Sequence, residues 1–240
     1  MALGLHEWLR TKEVEYCKEN VASTKVLHRD PSRVCLQNAN YFYSPCDGTI
    51  IYQSIVHPQT SPQAIFIGSQ PLTLANILGM PSFNRPCLVI GLYVSRIDAK
   101  VTRMPYTGIR QYMTLPHATG VFNQSFKGFE STLLQGFIST PLMGFCFTNQ
   151  KRVSTIINNK LNYTYYLAQT PEGQNSIKDF YKSKEVIPQN SRVDQVSDPY
   201  MVDLVLPLSM SYDFGFQQSP GTHVKAGMDR LVQIKPKGSV

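Results

Sequence analysis

The stretch LVIGLYVS at residues 88–95 is dominated by apolar, β-branched and aromatic residues, which is the composition of a buried β-strand. Similar short runs occur at 50–56, 64–68, 145–147 and 201–210, with Gly and Pro turns between them, and 231–234 fits a last strand. One segment breaks the pattern. LTLANIL at 72–78 predicts a short helix that ends at Gly79.

The first 20 residues have a different pattern from the strands that follow. Leu5, Trp8, Leu9 and Tyr16 fall roughly on one face, which predicts a helix over 4–20. Residues 151–168 fit either a helix or a strand, and the polar region 171–200 predicts a short helix near 173–182 followed by a surface loop. We therefore expect a mainly β domain with a few helices (α+β) at 33–240, behind a helical extension at 1–32.

Composition places the chain among folded globular proteins. Of its 240 residues, 42% are hydrophobic and only 16% are charged, which argues against disorder. No apolar run approaches the ~20 residues of a membrane-spanning helix, and the charged N-terminus does not resemble a signal peptide. Five cysteines without a CxxC pair predict free thiols in a reducing, cytoplasmic compartment and no metal site.

Four segments, taken in order, carry a family resemblance. They are SPCDGTI at 44–50; IG at 67–68 with LTL at 72–74 and ILG at 77–79; YVS at 93–95 with Asp98 and MP at 104–105; and FTN at 147–149 with RV at 152–153. They resemble the SPxDGxI, KGxxYSLxxLLG, YLSPxDYHRxHMPxxG and LFxxNERV segments of the phosphatidylserine decarboxylase family. The resemblance covers roughly residues 42–210 and implies that family's β-rich fold.

The resemblance also implies a chemistry. In the family, an Asp–His pair activates a Ser within a Gly-Ser-Thr segment, the chain is cleaved there, and the Ser becomes a pyruvoyl group. The pyruvoyl ketone then forms a Schiff base with the substrate amine and accepts electrons during decarboxylation. By this resemblance Asp47 is the orienting acid, and Ser239 in Gly238-Ser239 is the nucleophile.

This chain departs from the family at the base. Lys100 and Arg103 stand where the family has its two histidines. Arginine stays protonated and cannot accept a proton, and lysine can do so only if its pKa falls by several units. Because Val240 alone follows Ser239 in this sequence, cleavage would leave the pyruvoyl group on a single residue. We therefore expect no cofactor, with a pyruvoyl group derived from Ser239 only if processing survives.

The site residues have competing interpretations. Asp47-Gly48 is also a strong turn signal. Lys100 and Arg103 fit either a solvated segment or an anion-binding pair that replaces the histidines, with Asp98 beside them. His117 follows the altered motif and could fold back toward such a ligand site.

Three functions stay open from the sequence. The lost residues favour a family member that does not self-process and binds a ligand, a membrane surface or a partner protein. The second is an active pyruvoyl-dependent decarboxylase of phosphatidylserine or a related amine. The third is a nucleic-acid-associated or structural protein, which a net charge of +7 and 13 tyrosines permit. We expect an anionic phospholipid or a small phosphate or carboxylate as ligand, a homo-oligomer, and a cytoplasmic protein with peripheral membrane contact.

Overall fold

The computed structural model describes residues 1–20, 29–35, 37–57, 65–67, 70–116, 125–139, 149–173, 176–182 and 184–238, with the backbone alone for 65–67 and 70–72. The helices are α1 (Leu5–Trp8), α2 (Lys12–Glu19), α3 (Leu74–Leu78) and α4 (Lys127–Leu134). None of these helices is long and apolar enough to cross a membrane.

The strands fall into one large and several small antiparallel groups. They are β1 (Leu3–Gly4), β2 (Tyr41–Tyr43), β3 (Gly48–Val56), β4 (Ile65–Ile67), β5 (Gln70–Leu72), β6 (Cys87–Val94), β7 (Val101–Arg103), β8 (Gly108–Leu115), β9 (Lys151–Asn158), β10 (Tyr163–Pro171), β11 (Ile177–Asp179), β12 (Val186–Ile187), β13 (Arg192–Val196), β14 (Tyr200–Pro207), β15 (Tyr212–Phe216), β16 (Thr222–Val224) and β17 (Arg230–Pro236). The chain is mainly β with a few helices, as the sequence predicts.

Nine strands form the main sheet, in the order β1-β16-β3-β6-β14-β10-β9-β8-β12. The central strands β6 and β14 are buried along their whole length. This explains why their sequences are nearly continuous apolar runs, since a strand covered on both faces has no solvent side. Two three-stranded sheets, β11-β13-β7 and β15-β17-β2, and the hairpin β4-β5 complete the fold.

The main sheet has a hydrophobic core on each face. One core joins the sheet to the four helices; among its buried residues are Leu5, Trp8, Val14, Cys17, Ile77, Tyr93, Phe129, Leu133 and Met201. The other joins it to the two small sheets and includes Phe42, Ile50, Leu92, Met104, Tyr165, Val193, Val202 and Val232. The helices of the first 20 residues therefore pack against the same core as the strands.

Most of the local predictions hold. The strands predicted at 50–56, 64–68, 88–95, 201–210 and 231–234 are present, and the helix at 72–78 ends at Gly79, whose φ of 61° is left-handed. Residues 151–168 form two strands. The strand predicted at 145–147 lies outside the described residues.

Two predictions need correction. The helix expected near 173–182 is wrong in the described part of that region, because residues 177–179 form a strand that pairs with β13. Residues 4–20 form two helices instead of one. The hydroxyl of Thr11 donates to the carbonyl oxygen of Trp8 and accepts from the backbone N–H of Val14, so it closes α1 and caps the start of α2.

Candidate functional site

Asp47 lies at the turn that leads into β3, and its carboxylate is buried. The next residue must be small, because a Cβ on Gly48 would lie 2.5 Å from the carbonyl oxygen of Tyr93. The backbone N–H of Ala226 donates to Oδ1 of Asp47 at 2.9 Å. The motif therefore places Asp47 against the segment that follows β16.

Arg33 holds both carboxylate oxygens of Asp47. Its Nη1 and Nη2 donate to Oδ1 and Oδ2, and both side chains are almost completely removed from solvent. Burial alone would lower the pKa of Arg33, but the hydrogen bonds and charge of Asp47 outweigh it and raise that pKa. A two-point guanidinium–carboxylate pair is among the strongest arrangements for both groups. Asp47 is thus engaged by a cation that cannot accept a proton.

Asp98 forms a second buried pair, with His223. Nε2 of His223 lies 2.8 Å from Oδ1 of Asp98, while Oδ2 accepts the backbone N–H and the hydroxyl of Ser95. Burial would raise the pKa of Asp98, but His223, Ser95 and the charge of Lys100 together lower it. An ionised Asp98 accepts a hydrogen bond from His223 in the tautomer that carries its proton on Nε2, and in that tautomer the lone pair of the imidazole lies on Nδ1.

The indole of Trp8 covers His223. The two rings are parallel within 7°, with centroids 4.0 Å apart. Within the described part of the chain, Nδ1 of His223 has no hydrogen-bond partner. Asp98 orients the ring and Trp8 supports its face, so the arrangement holds a proton acceptor in a fixed position.

Lys100 is completely buried. Its ammonium donates to the carbonyl oxygen of Ser95 at 2.5 Å and lies 3.5 Å from that of Asp98. Burial lowers the pKa of Lys100 to about 8, against the opposing charges of Asp98 and Glu130. Such a lysine exchanges its proton near neutral pH, but its bonds here are to backbone carbonyl groups.

The side chain of Arg103 contacts a different part of the molecule from that of Lys100. Its Nη1 donates to the carbonyl oxygen of Asn190 at 3.0 Å, and its Nη2 lies 3.6 Å from Asp30. Residues three apart on extended chain face opposite sides of the strand. Lys100 and Arg103 therefore do not converge on one group, and the structure does not bring them together as an anion-binding pair.

Asp47, Asp98 and His223 line one narrow cavity. Its other lining residues are Trp8, Glu13, Val14, Arg29, Ile97 and Lys225. Among the described residues, no group of three or more His, Cys, Asp and Glu side chains could hold a metal ion. The cavity combines carboxylates, cations and one oriented imidazole, which suits the transfer of a proton. Its free volume of about 10 Å³ is no more than a single water molecule needs, so a larger ligand enters only if the lining moves.

The segment that leads to Ser239 lies elsewhere. The carbonyl oxygen of Asp229 accepts from the backbone N–H of Ser44, three residues before Asp47, at 2.8 Å. From there β17 runs for seven residues, or about 20 Å, to Pro236, which pairs with Tyr212. The described residues closest in sequence to Ser239 are thus at the opposite end of β17 from Asp47. Ser239 and His117 themselves lie outside the described residues.

The sequence analysis missed three residues of this site. Arg33, His223 and the covering role of Trp8 carry no motif, and Asp98 and His223 are 125 residues apart in sequence. The available signal was indirect, because this chain lacks the two histidines of a family that needs an acid–base pair. That loss could have directed attention to the remaining histidines.

Comparison with known proteins gives the chain its family. The family model "Phosphatidylserine decarboxylase" matches residues 26–229. A curated relative from Methanocaldococcus jannaschii, named "Putative archaetidylserine decarboxylase proenzyme", is 30% identical over 104 residues. That alignment covers 43% of this chain and 47% of the relative, so the chain spans about half the length of the curated protein it matches. The match to the family model covers most of the chain, and the chain belongs to the phosphatidylserine decarboxylase family.

Proposed function

We propose that this chain is a ligand-binding member of the phosphatidylserine decarboxylase family that does not convert Ser239 into a pyruvoyl group. The pairing of Arg33 with both oxygens of Asp47 carries this proposal. An acid that orients a catalytic base must direct an oxygen toward that base. In this chain the oxygens of Asp47 are directed toward a guanidinium and the N–H of Ala226.

The residues at the two histidine positions support the same conclusion. Arg103 cannot act as a base, and Lys100 donates to the Ser95 carbonyl oxygen in a fully buried position. The described end of β17 extends away from Asp47. Self-processing through Asp47 would therefore require Arg33 to leave and β17 to be rearranged.

The cavity supports an anionic ligand. Arg29 and Lys225 line it, and both pair with Glu13, so an anion binds there only by replacing that carboxylate. Asp47 and Asp98 also line the cavity, and the chain as a whole carries a formal charge of +7. An acidic phospholipid head group, or a free phosphate or carboxylate compound, matches these cations. We place the protein in the cytoplasm, where it would bind such a head group at a membrane surface reversibly.

One observation favours a second candidate, an active pyruvoyl-dependent decarboxylase. The Asp98–His223 pair is an oriented proton acceptor, which is the function that the lost histidines served. If His223 acts as the base, processing would depend on Asp98 and His223, and Asp47 would contribute only through its pair with Arg33.

The intact mass of the denatured chain, with and without a carbonyl-trapping reagent, tests both candidates. A single uncut chain that gains no reagent mass is expected, and Ser239→Ala should likewise give one uncut chain, lighter only by its missing hydroxyl oxygen. A shortened chain together with a fragment that gains the reagent mass would contradict the proposal. His223→Gln and Asp47→Asn would then identify the base, because only the former should stop cleavage if His223 has replaced the family histidine.

A further inference from the structure

The cavity beside His223 is covered by the first two helices. Trp8 of α1 stacks on His223, and Val14 of α2 is buried in the core that lines the cavity. Both helices are short and are joined by residues 9–11 alone. Isolated helices of this length are unstable in water, so the packing of Trp8 and its neighbours holds them in place.

Glu13 of α2 extends its carboxylate into the charged part of this cavity. Oε1 accepts from Nη1 of Arg29 at 2.8 Å, and Oε2 accepts from Nζ of Lys225 at 3.3 Å. Burial opposes ionisation of Glu13, but the charges of Lys225 and Arg29 outweigh it and lower its pKa. A single carboxylate therefore neutralises two cations, one on each of its oxygens.

Arg29 retains an unused donor. Its Nη1 also contacts Sγ of Cys17 and its Nη2 donates to the carbonyl oxygen of Ile97. Its Nε is buried and has no hydrogen-bond partner among the described residues. Unsatisfied buried donors are rare and commonly mark a place where water or a ligand binds. An oxyanion with three or four oxygens could satisfy Arg29 and Lys225 more fully than the two oxygens of Glu13.

We propose that α1 and α2 form an autoinhibitory lid, in which Glu13 occupies an oxyanion subsite made by Arg29 and Lys225. A phosphate-type oxyanion displaces Glu13 from this subsite, and the lid then carries Trp8 away from His223. The proposal rests on the proposed function for the location of the ligand cleft, and it does not depend on whether Ser239 is processed.

The exposure of the Glu13 ion pairs permits exchange of its carboxylate for another anion, whereas movement of the lid must in addition expose apolar side chains. The side chain of Glu13 is 44% exposed, and its two cations are also partly exposed. Ion pairs in contact with solvent contribute little, so a ligand with a full negative charge can compete with Glu13. Most of the resistance to opening comes from Trp8, which is buried with Leu5 in the core.

Trp8 supplies the measurement, because it is the sole tryptophan of the 240-residue chain. Its fluorescence reports directly on contact between the indole and the imidazole of His223. The complete chain is titrated with inorganic phosphate, and with sodium chloride at matched ionic strength. In a separate arm it is titrated with vesicles of phosphatidylcholine, with and without phosphatidylglycerol. We expect a saturable change in Trp8 emission with phosphate or with the anionic vesicles, and none with chloride or neutral vesicles.

Matched variants test the role of Glu13. Glu13→Gln is expected to bind the oxyanion about two- to fivefold more tightly, the effect of removing a competing exposed ion pair. Glu15→Gln removes an exposed acid from the same first turn of α2 and should bind like the wild type. Lys225→Gln should abolish the saturable change, with circular dichroism used to verify that the variant is folded.

Each outcome decides the proposal. A response to phosphate alone supports a free oxyanion as ligand, and a response only to anionic vesicles supports a lipid head group, provided that the variants rank as expected. An unchanged emission, an equal response to chloride, a response that survives in Lys225→Gln, or equal affinities of Glu13→Gln and Glu15→Gln would overturn it. A pyruvoyl group found by mass would refute the proposed function while leaving this test unaffected.

Discussion

The hydroxyl of Tyr52 donates a hydrogen bond to the carboxylate of Asp203 in the interior of the main sheet, where both side chains are buried. Burial raises the pKa of Asp203 to about 6, although Tyr52 and the charge of Lys151 partly oppose the shift. Lys151 is itself buried, and its ammonium donates to the carbonyl oxygen of Asn76 in α3. The main sheet therefore carries an acidic group in its buried interior, at a cost to stability.

Asp203 predicts that the protein becomes less stable as the pH rises from about 4 to about 6. The folded state retains the Asp203 proton up to about pH 6, whereas the unfolded chain releases it near 3.8. Across this window the folded state binds more protons, so the free energy of unfolding falls with increasing pH. Asp203→Asn should remove this dependence and increase stability near pH 7 by about 2–3 kcal/mol, an order-of-magnitude value.

Urea unfolding across this pH range measures the effect. Asp213→Asn is the control, because Asp213 lies on β15 with an exposed side chain and should leave the pH dependence unchanged. If Asp203→Asn retained the wild-type slope, Asp203 would not be the titrating group.

Gly91 is required for the Tyr52–Asp203 contact. A Cβ at this position would lie 2.3 Å from Cε1 and Cζ of Tyr52. We expect Gly91→Ala to displace the phenol ring, which breaks its bond to Asp203 and costs about 1–3 kcal/mol from overpacking. Gly215→Ala is the matched control in a strand, because no atom lies within 4 Å of its added Cβ. Thermal unfolding of the two variants should differ clearly; similar melting temperatures would show that the sheet accommodates the methyl group.

The Arg33–Asp47 pair predicts a large and specific loss of stability. Arg33→Met leaves the Asp47 carboxylate buried, with the Ala226 N–H as its remaining donor among the described residues, which should cost about 3–5 kcal/mol. Arg192→Met is the control, since Arg192 pairs with Asp30 but is half exposed and should cost no more than about 1 kcal/mol.

A double-mutant cycle with Asp47→Asn measures the coupling between the two side chains. The double variant should be more stable than Arg33→Met alone, because the uncompensated buried charge is then absent. Additive losses would show that Arg33 and Asp47 act independently.

Apolar runs predicted the centre of the fold because its strands are buried on both faces. Residues 88–95 and 201–210 became β6 and β14, which pair with each other along their whole length. The short strands β11 and β13 were missed. They are polar and partly exposed, so propensity and periodicity give them little signal. Tertiary contacts set the pairing of β13 with β7 on one side and with β11 on the other.

The candidate site was predictable only in part. The family motifs indicated Asp47 and Asp98, because those residues lie in short segments that resemble family motifs and can be recognised from local sequence. Their partners Arg33 and His223 come from other segments, and β16 brings His223 to Asp98 by pairing with β3. The orientation of Lys100 and Arg103 also depended on strand geometry, which places their side chains in different surroundings although they are only three residues apart in the motif.

Lys100 predicts a pH dependence at the alkaline end. Its folded-state pKa is about 8 because the ammonium is buried, whereas the unfolded chain holds the proton up to 10.5. Between these values the unfolded state binds more protons, so the free energy of unfolding should rise as the pH increases from about 8 to about 10.5. Lys100→Met removes the buried charge and should flatten this rise.

Near pH 7 the Lys100→Met variant should be more stable than the wild type by about 2 kcal/mol. Removing the buried charge contributes up to about 3 kcal/mol, and this gain is reduced because the Ser95 carbonyl loses its donor. Lys160→Met, at an exposed position, should keep the wild-type profile. If Lys100→Met were strongly destabilised at every pH, the ammonium would be contributing favourable interactions that exceed the cost of its burial.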